Sequence, residues 1–182
     1  LKQKQLTGKF SGAVGNFNAL QFSHPRIDWI AFSNRFVSSL GLSPNLVTTQ
    51  INSYDDICEY VQIYQRINSI LIGLDHDLWR YISDGWFVQE LKNGEVGSST
   101  MPQKVNPIDF ENSEGNLGMA NAIAEFFCRK LMISRLQRDL SDSTTIRNIG
   151  TLLGYCLVGY KSLVAGFYRV TPYKIKIIEE LL

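Results

Sequence analysis

Residues 53–85 read SYDDICEYVQIYQRINSILIGLDHDLWRYISDG. Apolar side chains recur there at steps of three and four, the spacing that places them on one face of an α-helix. Asp55 and Asp56 suit the first turn of such a helix, and Asp84-Gly85 suits its end. The pattern predicts a helix of about seven turns. Further apolar residues widen the face enough to pack against several neighbours, namely Val61, Ile63, Ile70 and Ile72.

Two other segments repeat this pattern. One follows Asn106-Pro107, with the proline at the first helical position. The other follows residues 142–145, which are predicted to cap it, and continues to Thr171-Pro172. Glycines in this last helix predict notches where neighbouring helices approach: Gly150, Gly154, Gly159 and Gly166.

Shorter segments complete the chain. Residues 1–6 are interpreted as the end of a helix, and a further helix is expected from His24-Pro25 to Gly41. No convincing strand pattern occurs. The fold class is therefore predicted to be all-α, an elongated bundle of long helices. Since its apolar faces are wider than one neighbour can cover, we expect association with other copies of the chain.

Composition excludes several classes of protein. The chain has 182 residues, 45% of them hydrophobic, and a formal net charge of +1. This balance gives no reason to expect a nucleic-acid or membrane partner, and there is no uninterrupted apolar run long enough to span a bilayer. The three cysteines are interpreted as buried free thiols of a cytoplasmic protein. No metal site is apparent, and no cofactor is expected.

The stretch GSSTMPQKVNP at 97–107 carries the chemistry. Glycines allow backbone amides to approach a ligand, and prolines restrict the shape of the loop. Lys104 offers a point charge for a carboxylate or phosphate, and Asn106 a donor and an acceptor. The alternative is a solvated connection between helices.

This loop resembles the signature loop of the fumarase/aspartase superfamily, and its surroundings resemble bacterial-type adenylosuccinate lyases. The resemblance extends from Gly12-Ala13-Val14-Gly15-Asn16 through Thr48-Thr49-Gln50-Ile51 to Gln137-Arg138-Asp139-Leu140. It implies elimination of fumarate from adenylosuccinate, and from the succinylated imidazole-carboxamide ribotide of purine synthesis. It also implies a homotetramer with a shared central helical bundle and active sites shared among subunits.

The resemblance assigns the general base to Ser98, whose alkoxide needs local stabilisation by loop amides and Lys104. Lys104 and Asn106 would bind the carboxylates of the fumarate moiety. Glu111 could contact substrate or serve as a partner of Lys104. The predicted substrate-binding set also contains Gln50, Ser99, Thr100, Met101 and Asn112.

A second group of residues suits a phosphate. Arg138 and Arg147 stand beside Ser143 and Thr144, and two guanidiniums near hydroxyls and free amides form a good anion site. The alternative is a helix cap with two surface arginines. The resemblance assigns this region to the nucleotide phosphate, with Thr145 included among the substrate-binding residues.

The general acid of these lyases is a histidine, and neither His24 nor His76 matches its motifs. We therefore expect residues 1–182 to be the central domain of a longer lyase, with further domains on both sides and no activity in isolation. The alternatives are argininosuccinate lyase, another enzyme of the superfamily, or a non-catalytic helical structural protein.

Overall fold

The computed structural model describes residues 5–90 and 106–182. Within them the chain is mostly helical, as predicted, and its few strands are only two or three residues long. The helices are α1 (Asn18–Ser23), α2 (Trp29–Ser39), α3 (Asp55–Ser83), α4 (Ile108–Leu131), α5 (Ser141–Ile146), α6 (Ile149–Phe167) and α7 (Lys174–Leu181). The strands are β1 (Thr7–Gly8), β2 (Ser43–Pro44), β3 (Phe87–Gln89) and β4 (Val170–Pro172).

The strands form two small pairs. β1 and β2 are parallel, with Thr7 opposite Ser43. β3 and β4 are antiparallel, with Val88 opposite Thr171. Neither pair forms a layer of the fold, so the all-α prediction is confirmed.

The chain divides into two compact units. Unit 1 comprises Leu1–Ile63 and Glu125–Asn148, and unit 2 comprises Tyr64–Ala124 and Ile149–Leu182. Each unit therefore contains residues from both described stretches of the chain. Because the dividing points Ile63 and Ala124 fall inside helices, α3 and α4 each supply residues to both units.

Unit 1 packs aromatic rings from its first half together. The ring of Phe10 lies 5.3 Å from that of Phe32 and 5.1 Å from that of Phe36, and Trp29 meets Phe32 edge to face at 5.5 Å. Offset and tilted contacts of this kind add to the stabilisation from burial. Val37, on the same helix, is 2% exposed.

Unit 2 has its core between α3, α4 and α6. Leu78, Phe110 and Leu163 form one buried cluster. A Cβ at Gly159 would stand 2.6 Å from Leu117, and one at Gly166 would stand 2.8 Å from Phe110. Both distances are below any normal carbon contact, so the notches predicted at these two glycines are confirmed.

At Gly150 and Gly154 a Cβ would meet none of the described atoms within 4 Å, so no helix of the single chain fills the notches predicted there. A glycine marks a close approach only when a neighbour lies on its side of the helix. The sequence spacing does not contain that information.

Several predicted helix boundaries also need correction. The helix expected from Pro25 begins at Trp29, because Asp28 accepts a hydrogen bond from the Ala31 amide at 2.9 Å and caps it. Gln5 and Leu6 are not helical, and β1 follows them. Residues 142–145 do not cap the last long helix. They form part of α5, whose N-cap Leu140 has no side-chain cap bond.

The cysteines are free, as expected. Cys58 and Cys156 are buried, and Cys128 is half-buried. Burial raises the pKa of the Cys58 thiol to about 11. The thiol is therefore protonated, and unreactive, near neutral pH.

By length and composition, the segment 141–167 of the described chain would suffice to cross a membrane. It contains α5, the turn at Arg147 and Asn148, and α6. The core helix of a globular protein passes the same test, so this property does not by itself identify a membrane span.

Candidate functional site

In unit 1, two distant segments of the chain contact the backbone of Gln50. The Gln50 amide donates to the Gln137 carbonyl at 3.3 Å, and the Gln50 carbonyl accepts from the Lys9 ammonium at 2.7 Å. The Gln50 side chain is exposed and makes no hydrogen bond to the described residues. Its backbone is thus held on two sides while its carboxamide is open to a ligand.

The Gly12–Asn16 turn is built for close approach. Gly15 has φ +76°, and a Cβ there would collide with the Thr48 carbonyl. The Ser11 and Thr48 hydroxyls are 2.9 Å apart, which fastens the turn to the segment before Gln50. Glycine is therefore required at position 15 for both its backbone angle and its small size.

Arg138 lies in the same unit, at the end of the connection between α4 and α5. Its guanidinium donates to the Ser143 hydroxyl at 2.7 Å and to the Asp142 carboxylate at 3.4 Å. Its buried Nε has no partner among the described residues. Since the Arg138 side chain is 29% exposed, its guanidinium beside a hydroxyl is a suitable arrangement for an anion such as phosphate.

Asp142 orients this arginine and was not predicted as part of the site. It is 4% exposed and also accepts from the Tyr54 hydroxyl at 3.2 Å. Burial, followed by the neighbouring Asp142 charge, raises the pKa of Tyr54. No local sequence signal predicts this pair, because Arg138 lies outside the helix in which four-residue spacing brings side chains together.

The connection before Arg138 is ordered by Asp139. This carboxylate accepts from Ser141, Lys130 and Arg135 at distances between 2.8 and 3.2 Å. The Ser141 hydrogen bonds, helped by the two cations, hold the pKa of Asp139 well below its usual range. Within this connection Leu136 has φ +49°, a conformation that non-glycine residues seldom adopt.

The other predicted phosphate ligands have different surroundings. Thr144 and Arg147 are exposed. Thr145 is 5% exposed, and its hydroxyl donates to the Ser141 carbonyl at 3.4 Å. The substrate-binding roles of these residues stay predictions.

In unit 2, Asn112 lies in the first turns of α4. Its amide donates to the Ser162 hydroxyl at 2.9 Å, and its side-chain oxygen accepts from Asn116 at 3.0 Å. Ser162 in turn donates to the Asp109 carbonyl at 2.8 Å. Asn112 is exposed and its rotamer is fixed by α4 and α6 neighbours.

Glu111 is also held in place. Its carboxylate accepts from the Trp79 indole at 2.9 Å.

The Asn106 carbonyl, at the start of the second described stretch, accepts from the Gln89 side-chain amide at 3.1 Å. This bond joins the end of the first described stretch to the start of the second.

A buried arginine strengthens that junction. Arg169 pairs with Asp109 at 2.6 Å and donates to the Glu90 carbonyl at 3.1 Å, and it is 7% exposed. Arg169 therefore connects Glu90 to the first turn of α4. The predicted residues of the loop itself lie outside the described residues: Ser98, Ser99, Thr100, Met101 and Lys104.

The two histidines are exposed. His76 lies 3.0 Å from Glu114, and His24 contacts the Ser23 hydroxyl at 3.0 Å. Across residues 5–90 and 106–182, no group of three His, Cys, Asp or Glu side chains could hold a metal ion.

Comparison with known proteins gives the chain its relatives. A family model described as "Lyase" matches residues 1–123, and one described as "Adenylosuccinate lyase C-terminal" matches residues 134–182. An adenylosuccinate lyase of Haemophilus influenzae is 51% identical over 181 residues, which is 100% of this chain and 40% of the relative. That of Dictyostelium discoideum is 50% identical over 177 residues, 96% of this chain and 38% of the relative. The chain thus spans about two fifths of the length of these curated relatives.

Proposed function

Since the chain belongs to the lyase family whose model matches its first two thirds, we propose that the complete protein cleaves adenylosuccinate to AMP and fumarate. The same reaction would release fumarate from the succinylated imidazole-carboxamide ribotide. The protein would work in the cytoplasm, without a cofactor.

The observation that carries this proposal is the Arg138 cluster. Arg138 and Gln50 lie in loops and Ser143 lies in α5. The unit 1 backbone brings these segments together, and the arginine is already aligned by Asp142. Such a cluster suits a phosphate, which adenylosuccinate carries and argininosuccinate lacks. This favours a purine-nucleotide lyase over the other enzymes of the superfamily.

The chemistry would follow from the loop and α4. Ser98 would remove the proton next to the succinyl carboxylate, and Lys104 would stabilise the negative charge that builds up there. Asn106 and Asn112 would orient the succinyl group. The Ser162 and Asn116 contacts of Asn112 support this role, because a fixed carboxamide loses little entropy on binding.

We further propose that the protein acts as a homotetramer with active sites shared among subunits, the general-acid histidine coming from outside residues 1–182. The exposed apolar residues of α6 support this assembly. Leu153, Leu157 and Val164 are 42%, 54% and 52% exposed in the single chain. A helix with so much uncovered apolar surface is typical of an oligomer interface.

The test is turnover by the complete protein. Fumarate release from adenylosuccinate, with none from argininosuccinate, is the expected result, and Ser98→Ala should reduce kcat by several orders of magnitude. A Ser98→Ala variant with unchanged turnover would show that the base is elsewhere. Absence of lyase activity in the wild type would favour the structural-protein alternative.

The assembly has its own measurement. Leu157→Glu should shift the molar mass in light scattering from a tetramer to smaller species and reduce turnover along with it. An unchanged tetramer would show that this face of α6 is not an interface.

A further inference from the structure

The ammonium group of Lys9 is bonded only to backbone carbonyls among the described residues. It donates to Gly12 at 3.1 Å, to Thr49 at 2.9 Å and to Gln50 at 2.7 Å. Its neighbour Gly12 belongs to the tight turn, while Thr49 and Gln50 are about forty residues further along the chain. A lysine ammonium has three donors, so this geometry uses all of them.

No carboxylate pairs with Lys9 in the described part of the chain. An ordinary surface lysine is solvated or forms a weak ion pair with an acid. Burial lowers the pKa of Lys9, which is the direction expected for a cation with no acidic neighbour. Hydrogen bonds from a charged donor are stronger than neutral ones, so the three carbonyls are held firmly.

The held segment carries an open ligand group. The Thr48 hydroxyl bonds to Ser11, and the Gln50 amide bonds to the Gln137 carbonyl. Together with Lys9, these contacts fix the backbone on both sides of the Gln50 carboxamide. The side chain itself remains exposed. These contacts therefore fix the backbone at Gln50, which sets the direction in which its carboxamide leaves the chain.

We propose that Lys9 is a positioning residue for substrate binding, acting through Gln50. Its ammonium joins the Gly12 turn to the Thr49–Gln50 segment and sets the direction of the Gln50 carboxamide. This inference rests on the proposed function, since it needs Gln50 to contact the succinylated nucleotide.

The experiment is a double-mutant cycle in the complete protein with adenylosuccinate as substrate. Lys9→Met keeps the length of the side chain and removes the donors, and it should lower kcat/KM about 10- to 100-fold, mainly through KM. Gln50→Ala should cause a loss of similar size. In the double variant the loss of kcat/KM should stay within about 3-fold of that of Gln50→Ala alone. Without the Gln50 carboxamide, Lys9 has nothing left to position.

Two more variants guard against a folding artefact. Lys9→Arg keeps the charge and donors, and it should lose about 3- to 10-fold, which keeps the test valid if Lys9→Met does not fold. Lys174→Met, at an exposed lysine of α7, should have wild-type kcat/KM.

The outcomes separate the two proposals. A wild-type protein without activity on adenylosuccinate would overturn the proposed function, and this inference with it. If the wild type is active, two results would overturn this inference alone. One is a Lys9→Met variant with the wild-type kcat/KM, and the other is a double variant in which the losses from Lys9→Met and Gln50→Ala multiply. A purely structural role for Lys9 gives multiplying losses, since it would not depend on the Gln50 carboxamide.

Discussion

The predicted substrate-binding residues of unit 1 and unit 2 are held in place in different ways. In unit 1, Gln50 and Arg138 lie in irregular segments fixed by charged groups, namely Lys9 and Asp142. In unit 2, Asn112 lies on a long helix fixed by close packing and a buried ion pair. Irregular segments can shift without unfolding the chain, whereas packed helices cannot. Substitutions should therefore reduce activity first in unit 1 and stability first in unit 2.

The strongest challenge to this contrast is Arg169→Met in unit 2. It leaves the Asp109 carboxylate, whose side chain is 17% exposed, without its ion-pair partner. Removing one member of a buried pair costs about 3–5 kcal/mol of unfolding free energy. Urea denaturation of the complete protein would measure this loss.

Its control is the double variant Arg169→Met with Asp109→Asn, which removes both charges and should recover more than half of the lost stability. If the single variant unfolds at the wild-type urea concentration, the ion pair does not hold unit 2 together. The expectation that substitutions in unit 2 reduce stability first would then be wrong for its most buried ion pair.

Gly159→Ala tests the packing of unit 2 with a smaller change. The added methyl would stand 2.6 Å from Leu117, which is fully buried and cannot move aside. Overpacking of this kind costs about 1–3 kcal/mol. The control is Gly73→Ala in α3 of the same unit, where the added methyl meets none of the described atoms within 4 Å. It should stabilise the protein by up to about 1 kcal/mol, because alanine favours helix more than glycine does. Equal effects at both sites would contradict the packing described here.

The two units also differ in how far the sequence predicts them. In unit 2, the positions of Asn112 and Phe110 follow from helical periodicity, since 3.6 residues per turn fixes which side chains share a face. In unit 1, the bonds of Lys9 join residues about forty positions apart, and no local pattern contains that distance. The cap at Asp28 was missed because Pro25, three residues earlier, was the more obvious helix signal.

For the candidate site, the sequence, through its resemblance, predicts Gln50, Arg138 and Ser143 as substrate-binding residues, and all three lie in unit 1. It did not identify Tyr54, which meets Asp142 from 88 residues away. Residue type and resemblance to a family motif suggest which groups could contact a ligand. The residues that orient those groups are found only once the chain is folded.

Arg138→Gln tests the unit 1 side of the contrast. Loss of the guanidinium should raise KM for adenylosuccinate about 10- to 100-fold, because a phosphate would lose a charge-assisted contact. Stability should fall by about 1–2 kcal/mol, less than for Arg169→Met, since the Tyr54 and Ser143 hydroxyls still donate to Asp142. The nucleoside without its phosphate serves as the control substrate, and its KM should not change. A similar rise for both substrates would show that Arg138 does not contact the phosphate.

The smallest expected effect concerns Asp75, a carboxylate of unit 2 that is 1% exposed and has no well-formed hydrogen bond among the described residues. Burial raises its pKa from 3.8 to about 6, with Glu114 adding to the rise and the nearby Ser113 hydroxyl and His76 opposing it. Between these two values the folded state binds more protons than the unfolded state, so stability falls as pH rises from about 4 to about 6.

Asp75→Asn removes that ionisation, so it should stabilise the protein by about 1 kcal/mol at pH 7.5 and by almost nothing at pH 4. Denaturation curves at the two pH values would measure the difference. The asparagine would still have to find partners such as Ser113, which keeps the gain below the full cost of ionising a buried carboxylate. A variant less stable than wild type at pH 7.5 would mean that the Asp75 carboxylate has a cationic partner in the assembled protein. Unit 2 would then rely on a second buried charge pair besides that of Arg169 and Asp109.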